Sequence, residues 1–273
     1  AGLTPQELLN TITERTQNLV TRQVDLFHNS IIPQLKEYGI EFISMKEISE
    51  SEKEHLIDYY RKRIFPVLTP LVVDPSHPFP YISGLSLNIG INIESSSDHD
   101  ISFARVKIPT NLPRFIRTSE NSRNRFILID ELIAENLSEL FPGVKIKDHF
   151  FFRVTRNQDL DLDEEDSEDI LETMEKELTR RRFGPPVRLE VDKVISRVVL
   201  DELIDELEIE PYDVIKYNSP LDLTALHQIA DLDFPQLKYP LFRSEISPEF
   251  RDLDSESTET YFAAMRKGEI LLH

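Results

Sequence analysis

Apolar residues recur at helical spacing near the start of the chain. Leu8, Ile12, Leu19 and Leu26 form one stripe, and Val20, Val24, Phe27 and Ile31 widen it. Thr4 can cap this helix, Pro5 suits its first position, and Glu7 stands where a capping-box carboxylate reaches back. Pro33 is placed to kink or end the helix, and Gly39 closes the segment. A second capping box, Ser49 with Glu52, opens a helix carrying Leu56, Ile57, Tyr60 and Ile64. Two long amphipathic helices with a shorter connection predict an antiparallel pair. A pair alone leaves apolar surface uncovered, so this is an incomplete helical bundle awaiting a further helix.

The pattern changes at Phe65. Residues 65–73 are apolar and punctuated by prolines, as in a linker running into a short strand, and 74–80 are too proline-rich for regular structure. A domain boundary falls here. Period-two alternation predicts strands over 85–94 and 101–108, with a third at 125–129. A helix over 130–141, ended by Pro142-Gly143, leads to a long strand at 144–156 and a helix over about 164–182. A strand at 187–191, a helix near 196–207 and a strand at 213–216 follow. Residues 221–230 and 258–267 read as helical, and 234–250 as extended. The order implies an α+β fold: the helical pair, then a mixed-sheet domain.

Composition narrows the function. With 40% hydrophobic residues in 273, the chain can bury a substantial core. It contains no cysteine, which excludes disulfides, thiolate metal sites and cysteine nucleophiles and fits a reducing cytoplasm. No stretch approaches the ~20 apolar residues of a membrane span, and the start does not read as a secretory signal. The net charge of −19 opposes uniform binding to nucleic acid or to an anionic membrane. The charge is uneven, however, so a local anion site is compatible with it.

Candidate chemistry is sparse. The run Asp159-Leu160-Asp161-Leu162-Asp163 resembles a calcium loop, but Glu164 stands where the turn needs glycine and Ile170 where a bidentate glutamate belongs. These carboxylates instead suit the start of the following helix. The seven histidines lack an acid–base–nucleophile pattern around them. Glycine-rich phosphate loops are missing, as are nucleophile elbows and zinc-binding helices. Arg153 and Arg156, flanking Thr155, are the best anion-site candidates, because guanidinium forks suit phosphate. Alternation puts Lys145, Lys147 and Arg153 on one face and Arg156 on the other. The competing reading pairs these arginines with the adjacent acidic block. Arg180-Arg181-Arg182 ends a predicted helix, where positive charge complements the dipole.

Several ordered segments carry a resemblance. They are 65–80 (FPVLTPLVVDPSHPFP), Phe152-Arg153-Val154-Thr155-Arg156-Asn157 with the acidic stretch after it, and Arg181-Arg182-Phe183-Gly184 followed by Val187-Arg188-Leu189-Glu190. Pro220-Leu221-Asp222-Leu223-Thr224 and 233–240 complete the set. Together they resemble bacterial polyphosphate kinase of the phosphohistidine type, collinearly and over nearly the whole chain. The resemblance implies a four-part enzyme, with a helical domain, a head domain and two C-terminal domains similar to phospholipase D. In that family a C-terminal histidine takes the γ-phosphate of ATP and passes it reversibly to polyphosphate, assisted by Mg2+. A phosphohistidine splits one transfer into two easier displacements.

On this resemblance, residues 1–66 are part of the N-terminal helical domain, 67–255 the head, and 256–273 the start of a linker. Glu269-Ile270-Leu271-Leu272-His273 resembles the junction before the catalytic region. No catalytic, nucleotide or magnesium residue of the family therefore maps here, and no cofactor is expected in this chain. The implied partners are polyphosphate and ATP through the full-length enzyme, with homo-oligomeric assembly. The implied location is cytoplasmic, compatible with peripheral membrane association. The roles implied for this portion are dimerisation, the mouth of the polyphosphate tunnel, or scaffolding, without catalysis. The alternative is a non-enzymatic dimerisation or polyphosphate/protein-binding module.

Overall fold

In the computed structural model, residues 2–73, 79–95, 101–119, 124–157, 184–218, 220–242, 250 and 258–268 are described. The chain forms two compact units, Ala1–Ile229 and Ala230–His273. The second contains a short 3-10 turn at Pro235–Leu237 and a helix at Thr258–Met265. The predicted helix over 164–182, the arginine triplet and the proline-rich 74–78 lie outside the described residues.

Helix α1, Pro5–Leu26, begins on the expected capping box. Thr4 N–H donates to Glu7 Oε2 at 2.7 Å, and Glu7 N–H donates to Thr4 Oγ1 at 3.3 Å. The rod then widens into a π turn, Phe27–Ile31, and resumes as α2, Ile32–Glu37. Pro33 lies in α2 and does not end the helix. Its ring excludes the carbonyl four residues back, and the wider turn just before it absorbs that mismatch. Gly39, at φ +76°, closes the rod as a Schellman motif. Its N–H donates to Lys36 O and that of Ile40 to Leu35 O.

Among the described residues, nine strands form two sheets. Strands β1 (Glu41–Phe42), β6 (Arg125–Leu128) and β5 (Phe115–Arg117) make a small sheet in that order, β1 parallel and β5 antiparallel to β6. The large sheet runs β2 (Pro70–Val72), β4 (Ile101–Lys107), β3 (Leu87–Ser95), β7 (Val144–Arg156), β8 (Pro186–Asp192), β9 (Val214–Tyr217). All its pairs are antiparallel except β8 with β9. That parallel pair needs a crossover, and α6, Arg197–Leu207, supplies it, capped by Ser196. The expected α+β class, with an N-terminal helix ahead of a mixed sheet, is what the structure has.

Each face of the large sheet has its own core. On one, Leu87, Ile89, Ile91 and Ile93 meet Ala104 and Val106, and Leu56, Tyr60 and Ile64 pack over them. The last three come from α3, Glu50–Tyr59, and its π-turn extension Tyr60–Ile64. Helix α4, Ile129–Glu135, adds Leu132 and Ile133 to that core. The helix expected over 130–141 breaks at Asn136 and resumes as α5, Leu137–Leu140. On the opposite face, Phe150, Phe152, Val154, Leu189 and Val191 lie under Val199, Leu200, Leu203 and Leu207 of α6.

The two N-terminal helices bury their apolar faces in different places. Val20 and Val24 of α1 pack on Ile215 of β9, whereas α3 enters the core just described. The main stripe of α1 faces outward, with Leu8 50%, Ile12 46%, Leu19 61% and Leu26 55% exposed. Because α3 shares a core with β3 and β4, the first unit takes in residues on both sides of 66, and it ends at Ile229, ahead of 255.

Strand β7 spans 144–156 as the alternation predicts, but its alternation is broken once. Asn92 pairs with Asp148 and Ile93 with Ile146, so Lys147 is an extra residue, a β-bulge. The bulge reverses the faces on either side of it. Lys145 and Arg153 therefore point to opposite faces, a correction to the expectation that Lys145, Lys147 and Arg153 share one. Lys147 and Lys145 pair with Glu94 at 2.8 and 3.8 Å.

Gly90 of β3 lies opposite Phe150, and a Cβ built there would meet the ring at 2.3–2.9 Å. Phe150 is 2% exposed, so the ring has no room to withdraw. Gly90→Ala should cost about 1–3 kcal/mol, measured by urea unfolding, with Phe150→Leu recovering part of the loss in the double variant.

A second prediction concerns Glu52 of α3. Burial alone would raise its pKa, but hydrogen bonds from the Ser49 N–H, Thr118 and the Ser49 hydroxyl, with Arg125 at 2.5 Å, outweigh this and hold it at about 2. A carboxyl depressed in the folded state contributes stability above its unfolded pKa, and this is lost as pH falls through the folded value. Stability should drop between about pH 5 and pH 2, and Glu52→Gln should flatten that part of a pH series of thermal melts.

Candidate functional site

The bulge and the register of β7 place Arg153 directly opposite Glu190 of β8. Glu190 is 2% exposed and accepts from Arg153 Nε. The parallel pairing of β9 brings Tyr217 onto the same face, where its hydroxyl donates to Glu190 Oε1 at 3.1 Å. Arg153 Nη1 lies 3.1 Å from Asp222 Oδ1. Asp222 has φ +57°, a left-handed conformation that aspartate tolerates better than most residues. The turn aims its carbonyl at Arg114 Nη1, which donates to it, while the same guanidinium grips Asp130 through Nε and Nη2 at 3.1 and 2.5 Å.

The result is a continuous chain: Asp130, Arg114, Asp222, Arg153, Glu190, Tyr217. It runs from the small sheet, where Arg114 precedes β5, to the far side of the large one. Burial opposes the charge on Arg153, yet Glu190 and Asp222 outweigh it and the pKa rises. Burial, together with the Glu190 charge, pushes the Tyr217 hydroxyl up to about 12. Arg153 and Tyr217 thus keep their protons near neutral pH, and the chain serves as a structural tie.

Arg156 lies on the opposite face, as alternation predicts. Its Nε donates to Ile82 O at 2.7 Å and Nη1 to Gly184 O at 2.8 Å, and its guanidinium sits 4.3 Å from the centre of the Tyr81 ring. It pins the loop ahead of β3 to the entry of β8. The structure therefore separates the two arginines. The described partners of Arg153 are Glu190 and Asp222; the acidic block itself lies outside the described residues. Sequence reasoning picked out the segments 187–190 and 220–224 without assigning Glu190 or Asp222 a role as charge partner, and it passed over Arg114.

Two other features complete the survey. An apolar cavity of about 300 Å3 is walled by Phe27, Phe42, Phe115 and Phe126, with Glu47 and Glu131 among its polar residues. Burial and the neighbouring Asp130 charge raise the pKa of Glu131. His149, on β7, has its pKa lowered by burial against the pull of Asp148, Asp192 and Glu135. Among the described residues, no three His, Asp or Glu side chains are grouped to hold a metal ion, and no helix is long and apolar enough to cross a membrane.

Fold and site together define a mixed-sheet α+β domain whose buried charges mostly neutralise one another across two sheets. Residues 51–229 match the sequence profile of the polyphosphate kinase middle domain. The chain is 45% identical to polyphosphate kinase of Streptomyces coelicolor and 44% identical to that of Mycobacterium avium, each over its whole length. It spans 36% and 38% of the length of those relatives. The crystal structure of polyphosphate kinase from Porphyromonas gingivalis superposes with a TM-score of 0.72 at 23% identity, covering 91% of this chain and 36% of that one. The chain belongs to the polyphosphate kinase family.

The role of Asp222 can be tested by separating its backbone from its charge. Asp222→Asn tolerates the left-handed conformation and loses the ion pair, whereas Asp222→Ala loses both. Urea unfolding should rank wild type above Asn above Ala, with Ala about 1–3 kcal/mol below wild type.

Proposed function

We propose that this chain is the part of a phosphotransferase that supports catalysis without performing it. The parent would transfer the γ-phosphate of ATP to polyphosphate, reversibly, through a phosphohistidine supplied by another region, with Mg2+ assisting. The chain itself would hold neither nucleotide nor metal. Its contribution would be scaffolding at the tunnel mouth and contacts between subunits in a cytoplasmic homo-oligomer. The observation that carries this reading is the match of 179 residues, 51–229, to the middle domain of the family. The charge chain through Arg153 and Asp222 supports a stiffening role, because its groups are spent on each other. The outward apolar stripe of α1 supports a role in contacts beyond the described fold.

Arg153 and Arg156 fit this proposal as positioning residues that support an anion channel from behind. The first experiment compares ATP-to-polyphosphate transfer by the purified chain and by the longer protein. The longer protein should turn over and the chain should not; turnover by the chain alone would overturn the proposal. In the full-length enzyme, Arg153→Ala with Arg156→Ala should weaken use of long polyphosphate more than of short. Unchanged long-chain kinetics would remove both residues from the proposal.

A further inference from the structure

Buried charges in proteins are paired, because an isolated one loses its hydration and receives nothing in return. Among the described residues, the buried ionic side chains obey that rule with one exception. Glu52 faces Arg125, Asp130 faces Arg114, and Glu190 faces Arg153. Arg105, in β4, is 6% exposed and has no carboxylate partner among the described residues. Its Nε donates to Asn88 Oδ1 at 2.8 Å, and Asn88 is itself anchored to the Ser86 carbonyl and hydroxyl at 2.7 and 3.2 Å. The Asn88 contact fixes one edge of the guanidinium, and among the described residues the two terminal nitrogens have no further hydrogen-bond partner.

Among the described residues, the surroundings supply no counter-charge. Across the strands, Arg105 is flanked by Gly90 and Leu71. The acids that β3 and β7 place on this face are Glu94 and Asp148. Glu94 is engaged by Lys145 and Lys147, and Asp148 by Asn92 at 2.6 Å. Two residues along β4 on the same face, Lys107 stands exposed beside Asn88, its cross-strand neighbour. Burial lowers the pKa of Arg105, as it does for a cation without an anion beside it.

We propose that Arg105, oriented by Asn88 and assisted by Lys107, binds a phosphate-type oxyanion. The terminal nitrogens form the fork that suits two oxygens of one tetrahedral group, and the second cation favours a ligand carrying two or more charges. The site is separate from the Arg153 chain, which lies on the opposite face, and it requires nothing of the parent enzyme's catalysis.

The test uses the 273-residue chain with orthophosphate, tripolyphosphate and acetate as probes, read by calorimetric titration and thermal melting. Wild type should bind a phosphate probe and melt higher in its presence, with acetate at least tenfold weaker. Preference for orthophosphate would identify free phosphate as the source, and preference for tripolyphosphate would identify a phosphoryl chain; either supports the site. Arg105→Met should melt at or above wild type without anion, since it removes an uncompensated charge, and should lose at least tenfold in affinity. Equal affinity in wild type and R105M, equal binding of acetate, or no binding by wild type overturns the proposal. Should R105M not fold, Arg105→Lys keeps the charge and loses the fork. Its affinity should fall severalfold, and an unchanged value overturns the proposal equally.

Discussion

One aspartate between two arginines joins the two sheets. Asp222 sits in a left-handed turn that offers its carbonyl to Arg114 and its carboxylate to Arg153. Without that turn, Arg114 would be tied only to its own neighbourhood through Asp130, and Arg153 only to Glu190 across a strand pair. The loop at 220–224 is thus a fastener between layers. Its cost in backbone strain is offset by the neutralisation of partly buried guanidinium groups. Leu221, 2% exposed, anchors the same loop in the apolar core.

The second organising constraint is the length of β7. Thirteen residues cross the sheet beside both β3 and β8, and a single bulge lets the strand serve two cores in turn. Before Lys147, the residues facing the α3 side are Val144 and Ile146. After it, they are the odd-numbered positions, while Phe150, Phe152 and Val154 turn toward α6. Gly90 has to be small because Phe150 leans across it.

Much of this was legible in the chain. Both capping boxes, the helix after Ser196 and the full span of β7 follow from local rules whose physics involves only near neighbours. The bulge was not, because an inserted residue leaves the hydrophobic alternation on each side intact and shifts only their relation. Strands β1 and β5, of two and three residues, are too short to show a period. The described partners of Arg153, Glu190 and Asp222, lie 37 and 69 residues away and are set by sheet order, which local spacing does not encode. The stripe on α1 is wider than one neighbour covers. Which half would face inward depended on where β9 lies. Arg105 left a faint trace, a basic residue between Ala104 and Val106, on the strand face that also carries Phe103 and Lys107.

Gln17 of α1 also shapes what the sheet can do next. Its side-chain amide donates to Lys216 O at 3.0 Å and accepts from Lys216 N–H at 3.2 Å, and Thr13 donates to Tyr212 O nearby. A side chain thereby imitates one rung of a seventh strand of this sheet along β9. That border is closed to growth by hydrogen bonding. The opposite border, β2, begins with Pro70, which has no N–H to offer, and exposes Leu71 and Val72. Among the described residues, the sheet is therefore polar in its capacity to extend: occupied at one rim by its own helix, and at the other unpaired and short of a donor.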